Sequence, residues 1–334
     1  MLDCSLGENP FGCPPGVLQK LREIRPSDVE KYPTATHYAQ LRSGIREYWR
    51  AVADVEEVML GAGSMQVLER INLLFLGEGS RVLGYCPQFT EYILEVELLG
   101  AKYEYLQLPR DRLFKFDVEA FLGRVDGSHH LIYIDNPNNP TGQVIPLREI
   151  EEIVEAAQRR GTVVIVDEAY GDFMEREETS IRLINAYENL IVVRSFSKGF
   201  GLPGLRVGYA VCGGPLGKLL RKVEIPFSVS SIAAALACKA LEEAEYLDWC
   251  RRRIGEVKGR LINAFRENRY IVAETHPTTP IFLVGRENTN LYEWLLQRNV
   301  ASTPGSEFIG LGAHYVRIRT PRRAEPLLKA ISLK

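Results

Sequence analysis

Leu190-Ile191-Val192-Val193-Arg194-Ser195-Phe196-Ser197-Lys198-Gly199-Phe200-Gly201-Leu202-Pro203-Gly204-Leu205-Arg206 is the stretch on which the reading turns. Its first four residues are all aliphatic, the signature of a short strand buried on both faces. The strand runs into two serines, a lysine and a loop punctuated by glycine. A lysine there is badly placed as a solvated surface charge. A partly desolvated amine beside two hydroxyls is suited to forming a Schiff base. Arg206, eight residues on, offers a planar fork that matches a phosphate.

The same texture recurs along the first two-thirds of the chain. Apolar runs at 58–61, 81–84, 102–106, 130–134, 162–166, 190–193 and 207–211 read as strands, with helices such as 66–74 and 147–160 between some of them. Alternation of this kind predicts an α/β fold around a mostly parallel sheet with helices on both faces. From about residue 228 the pattern changes. An Ala-rich segment, 230–244, followed by a charged amphipathic one, 245–268, predicts one long helix crossing into a second domain. Residues 270–334 offer strands at 281–284 and 315–319 and helices at 289–298 and 323–331, the content of a small α+β domain.

Composition bounds what such a chain does. It has 334 residues, 46% hydrophobic and 25% charged, with 41 Lys+Arg against 43 Asp+Glu. That excludes disorder and gives a core large enough for about two domains. A net charge of -2 leaves no global basic field, so nucleic acid is not expected as a partner. Six cysteines show neither C-x-x-C nor metal-ligand spacing with histidine, so they are read as reduced thiols and no metal is expected. No basic-then-apolar leader opens the sequence and no run of roughly 20 uncharged apolar residues spans a membrane, so a cytoplasmic location is expected.

Three further segments resist explanation as packing. Asp135-Asn136-Pro137-Asn138-Asn139-Pro140-Thr141-Gly142 follows the run 130–134 and forces a turn at a strand's C-terminal end, the edge of an α/β sheet where ligands bind. Asp167-Glu168-Ala169-Tyr170 follows 162–166; a carboxylate leaving a buried strand needs a cationic partner or serves as a helix cap. Gly61-Ala62-Gly63-Ser64-Met65-Gln66 lies between a strand and a helix, where backbone N–H groups can approach an anion. It lacks the third glycine of the dinucleotide fingerprint and the G-K-[ST] of a P-loop.

In this order the four segments resemble the fold-type I pyridoxal-phosphate enzymes, the aspartate aminotransferase superfamily. The likeness is to the histidinol-phosphate aminotransferase group and the related threonine-phosphate decarboxylases. It extends from Leu6-Gly7-Glu8-Asn9-Pro10-Phe11-Gly12 to Val316-Arg317-Ile318-Arg319, nearly the whole chain. The resemblance implies a large domain with a seven-stranded, mostly parallel sheet and a small α+β C-terminal domain. It divides the chain into an N-terminal arm, 1–30, packing with the small domain; a cofactor-binding domain, 31–230; and an interdomain helix with the small domain, 231–334.

The resemblance also implies roles. Lys198 forms the Schiff base with pyridoxal 5'-phosphate and moves the Cα proton; Asp167 keeps the pyridine nitrogen protonated; Asn139 and Tyr170 bond the ring's phenolic oxygen; Phe89 stacks on the ring. The phosphate is held by the backbone of Gly63, Ser64 and Met65, by Ser195 and Ser197, and by Arg206. Tyr32 matches a tyrosine that reaches the phosphate from the partner subunit, which implies a homodimer. Arg317 grips the substrate's α-carboxylate, and Asn139, Glu8 and Asn9 complete the substrate side.

The departures fall where relatives recognise a substrate phosphate. An acidic residue expected after the cradle is replaced in Ser64-Met65-Gln66, and little sequence precedes Gly7, where relatives carry a further phosphate-reading segment. Transamination of an L-amino acid, with small amino or oxo acids as the only partners besides a second subunit, is the leading expectation. An α-decarboxylase is the alternative, and a lyase or cyclase acting on a cationic amino acid with Glu8 as an acid is a third. A non-enzymatic binding module would leave the Lys, Asp, Tyr, Asn and Arg set without a purpose.

Overall fold

A computed structural model describes residues 1–332. Its centre is a seven-stranded sheet built from β2 (Glu57–Gly61), β3 (Arg81–Cys86), β4 (Lys102–Gln107), β5 (Leu131–Asp135), β6 (Val163–Asp167), β7 (Leu190–Ser195) and β8 (Gly208–Cys212), after a short N-terminal strand β1 (Leu2–Asp3). The order across the sheet is β2-β8-β7-β6-β5-β3-β4. Neighbours from β7 to β4 pair parallel, and β8 is antiparallel to both β2 and β7. All seven strands match sequence expectations to within two residues at either end.

The two-residue period of each strand feeds two cores. Val164, Val166, Leu190 and Val192 face one, with Leu41, Ile150 and Ala237 from the helices Ala35–Trp49, Leu147–Gln158 and Ser231–Glu242. Ile165, Ile191 and Val193 face the other, with Val67, Ile71 and Ile93 from Gly63–Phe75 and Thr90–Leu98. Each fully buried aliphatic is worth about 1.5–3 kcal/mol over exposure. A one-residue slip would exchange the faces, so both cores enforce one register.

A second sheet, β12-β13-β10-β9, is antiparallel: β9 (Ile271–Val272), β10 (Ile281–Gly285), β12 (Thr303–Pro304) and β13 (Tyr315–Arg319). Its core joins Phe282, Val284, Val316 and Ile318 to Leu261, Phe265, Leu295 and Leu327. β1 pairs in parallel with β11 (Val300–Ala301), so the chain's start is laid against this smaller layer. The helix Pro15–Leu21, by contrast, leans on the large layer, where the Gly16 N–H donates to Glu243 Oε2 at 3.0 Å.

The single long helix expected over 230–268 is two helices, Ser231–Glu242 and Glu245–Glu267. Glu243 leaves helical geometry (φ -113°, ψ 33°) where its side chain serves Gly16 and Lys239. The first helix packs wholly into the large core. The second carries Leu247 in that core and Val257, Leu261 and Phe265 in the small one, so it crosses between them. Lys258, on this crossing helix, is fully buried. Its Nζ donates to Thr275 Oγ1 and His276 O at 2.7 Å and to Thr279 and Ile281 oxygens at 3.0 Å. Thr279 Oγ1 passes the link to Gly142 O at 2.8 Å, tying the small layer to the Asn-Pro loop. Among the described residues, no helix is long and apolar enough to cross a membrane.

Candidate active site

Parallel strands end on one edge, and the residues leaving β5, β6 and β7 there form the floor of a cavity of about 420 Å³. Asp135, Asp167 and Ser195 are the last residues of those strands. Asp167 Oδ2 accepts from Tyr133 at 2.9 Å, and Oδ1 accepts from the Ala169 N–H at 2.9 Å. Burial nonetheless pushes its carboxyl up to about 6, the two hydrogen bonds opposing it. A cation set against it would restore the ionised state. A protonated ring nitrogen fits that requirement.

The far side is built for an anion. The helix Gly63–Phe75 begins at the end of β2, and its first amides have no partner within the helix. Gln66, which replaces the expected acidic residue, turns back to accept the Ala62 N–H at 2.8 Å, so Gly63, Ser64 and Met65 remain at the positive end of the helix. Gly63 has φ +81°, and a Cβ there would lie 2.2 Å from Arg206 Nη2. The missing side chain is what lets the guanidinium close over the helix start. Arg206 Nη1 donates to Ser197 Oγ at 3.2 Å, and the Ser197 N–H donates to Ser195 Oγ at 3.1 Å. Ser64, Met65, Ser195, Ser197 and Arg206 line one cavity, a donor set that fits the phosphate of pyridoxal phosphate.

Between floor and phosphate end stand Phe89, Tyr170 and Lys198. Phe89 sits just before the helix Thr90–Leu98, half-buried. Lys198 Nζ is 5.3 Å from the centroid of the Tyr170 ring. Gly7 brings the N-terminal segment against that tyrosine, since a Cβ on it would fall 1.7 Å from the phenolic oxygen. The loop carrying Tyr170 is held from beneath by Arg194, which is buried over the Trp49 ring and pairs with Glu168 at 2.7 Å and with Asp172.

Arg317 arrives from β13 and closes the opposite wall. Its Nη1 donates to Asn139 Oδ1 at 2.7 Å, and its Nη2 donates to Ser5 O and Thr303 Oγ1 at 2.9 Å each. All three acceptors are neutral. The side chain is only 8% exposed, and Nε is buried without a partner. With Oδ1 of Asn139 taken by Arg317 and its N–H by Asp135 Oδ2 at 2.9 Å, the amide nitrogen of Asn139 is the group left for a ligand.

Most of the expected residues converge here, including Glu8. Three do not line the cavity: Gly63, which lies behind the Arg206 guanidinium, Asn9 and Tyr32. Asn9 gives its amide to Gly199 O at 2.7 Å and to Cys250 Sγ at 3.2 Å, steadying the backbone next to Lys198. Tyr32 is 79% exposed, its ring 5.2 Å from that of Phe227. Asp135 and Thr303 are among the lining residues for which the sequence reading gave no role. Asp135 gathers Tyr85, Gln88, Asn138 and the Asn139 N–H on one carboxylate, and burial raises it to about 7. Its parallel with Asp167, a carboxylate closing an aliphatic strand, was a readable signal. Thr303 lies on a two-residue strand that leaves no periodicity to read.

Two outcomes test this geometry. Gly63→Ala drives a methyl into Arg206 at a positive φ, and the affinity for pyridoxal phosphate, titrated by absorbance, should fall at least about tenfold. Asp167 is a weaker acid in the fold than its ordinary value of 3.8, so in the cofactor-free protein its ionisation costs stability. Urea unfolding should show stability falling as pH rises from about 4 to about 7, and Asp167→Asn should remove on the order of 2 kcal/mol of that fall.

The comparisons with known proteins agree with this architecture. The profile of the aminotransferase class I and II family matches residues 1–330. A histidinol-phosphate aminotransferase of Methanococcus maripaludis strain C5 is 29% identical, over 97% of this chain and 87% of the relative. Histidinol-phosphate aminotransferase 2 of Archaeoglobus fulgidus is 30% identical, over 97% of this chain and 90% of the relative. Among solved structures, histidinol-phosphate aminotransferase from Clostridium acetobutylicum superposes with a TM-score of 0.87 at 23% identity, covering 99% and 98% of the two chains. The Sinorhizobium meliloti enzyme in complex with pyridoxal-5'-phosphate gives 0.82 at 24% identity, covering 99% of this chain and 89% of that one. The chain therefore belongs to the class I and II aminotransferase family and is a pyridoxal-phosphate-dependent aminotransferase.

Proposed function

We propose that the cavity transaminates a substrate whose anionic group is gripped by Arg317, an L-amino acid in the general case. The observation that carries this is a buried guanidinium with three neutral acceptors and, among the described residues, no counter-charge. An arginine so enclosed is costly unless an anion joins it. A carboxylate meets its fork as a bidentate pair. The relatives are named for histidinol phosphate, whose phosphate is an anion of the same kind.

The cofactor, when bound, takes up the donor's amino group and spreads the electron pair left on Cα. The protein does the rest. Lys198 would hold the cofactor through its amine and would carry a proton to and from the donor's Cα. Asp167 keeps a proton on the ring nitrogen. Tyr170 and the Asn139 amide bond the ring's phenolic oxygen, and Phe89 covers its face. Gly63, Ser64, Met65, Ser195, Ser197 and Arg206 would anchor the phosphate. Arg317 orients the donor and thereby selects which Cα bond breaks.

A homodimer completes this reading: Tyr32 and Phe227, both exposed, would meet the second subunit, with Tyr32 reaching its phosphate end. The arm 1–30, the cofactor-binding part 31–230 and the small domain are its working parts, acting in the cytoplasm.

Incubating the cofactor-loaded protein with amino donors should give oxo acids by mass spectrometry, with conversion of the cofactor to its amine form. Release of CO₂ without an oxo acid would establish a decarboxylase instead. Lys198→Ala should lose the bound cofactor's characteristic absorbance and at least about 10²-fold in turnover. Arg317→Gln should raise KM for carboxylate donors about 30-fold, as expected when one partner of a buried charge pair is removed.

A further inference from the structure

The charges around the cavity do not suit a wholly anionic substrate. Its cationic lining residues are Lys198, Arg206 and Arg317. In the transamination reading each is committed, to the cofactor's carbonyl carbon, to its phosphate and to the donor's anionic group. Among the described residues of this chain, no lining cation remains for a second anion. Glu8, Glu91 and Glu307 line the same cavity, and the ion pairs among the described residues leave all three carboxylates unpaired.

Their places in the fold come from three different elements. Ser5 gives its carbonyl to Arg317, and Gly7 touches the Tyr170 hydroxyl. Glu8 therefore follows a segment that runs from the anion clamp to the tyrosine beside Lys198. Glu91 lies in the first turn of the helix behind Phe89. Glu307 is brought to that helix by the small layer, where Thr90 Oγ1 donates to Glu307 O at 2.7 Å. A donor fixed at one end by Arg317, whose buried Nε still lacks a partner, extends its side chain into a space lined by half-buried Glu8 and by the exposed Glu91 and Glu307.

We infer that the preferred amino donor carries a positively charged side chain, an ammonium, guanidinium or imidazolium group, seated against Glu8 with Glu91 and Glu307 around it. This rests on the transamination reading given above. Attraction between partly exposed charges is modest, about tenfold in an equilibrium, and salt weakens it. It is enough to rank donors of equal length.

The test uses the cofactor-loaded protein with ornithine, arginine, histidinol phosphate, norvaline, glutamate and O-phosphothreonine. Ornithine should exceed norvaline, its uncharged analogue, about tenfold in kcat/KM, and the ratio should shrink in high salt. Glu8→Gln should bring it towards one. Norvaline equal to ornithine, glutamate or O-phosphothreonine as the best donor, or a ratio unmoved by both Glu8→Gln and the triple glutamine variant at positions 8, 91 and 307, overturns the inference. Dissociation constants from the cofactor's absorbance give the same ratio without turnover. Cationic amino acids that bind preferentially yet yield no oxo acid would therefore overturn transamination and keep the charge preference. Oxo acids formed without charge preference would do the reverse.

Discussion

The hydrogen bond from Arg317 to Asn139 joins the two sheets, and the cavity exists because it does. Asn139 rides on a loop anchored to the large sheet through Asp135; Arg317 projects from the antiparallel sheet. Neither sheet has a ligand site alone. The large one supplies a floor of strand ends and an anion-binding helix start, and the small one supplies a wall with a positive charge. The contact also orients the asparagine, since a guanidinium can only donate and so must meet the amide oxygen. A hydrogen bond between layers thereby decides which atom of Asn139 a ligand encounters.

Much of this was legible because the chemistry sits at strand ends. Aliphatic runs mark strands buried on both faces, and in a parallel sheet their C-terminal ends share an edge, so Asp167, Ser195 and the Asn-Pro turn were bound to gather. Lys198 and Arg206 followed, since only a tight glycine-punctuated loop separates them from β7. What could not be read was contact between distant segments. Thr303 meets Arg317 only because a two-residue strand pairs with β13, and two residues carry no period. Asn9 looked like a ligand residue by its neighbours, yet it spends its amide on Gly199 and Cys250. The break at Glu243 was invisible for a related reason: it coincides with a call on that side chain from Gly16, over two hundred residues away in the chain.

The paired acids of the floor illustrate a division of labour that composition cannot show. Asp135 and Asp167 are register partners on adjacent strands, and burial weakens both as acids. Asp135 is surrounded by donors from its own chain, which commits it to shaping the loop. Asp167 has only Tyr133 and the Ala169 amide. The one left short of partners is the one free to serve a guest.

Lys258 bears on chemical selectivity. An enzyme that captures an aldehyde through an amine must keep its other amines from competing. Solvent-facing lysines are silenced by their protons. Lys258 is different, because burial lowers its proton affinity well below normal. The fold disarms it by access: the nitrogen is fully enclosed among threonine and main-chain oxygens. Two lysines thus have opposite fates, one facing the cavity and the other spent as an internal strut.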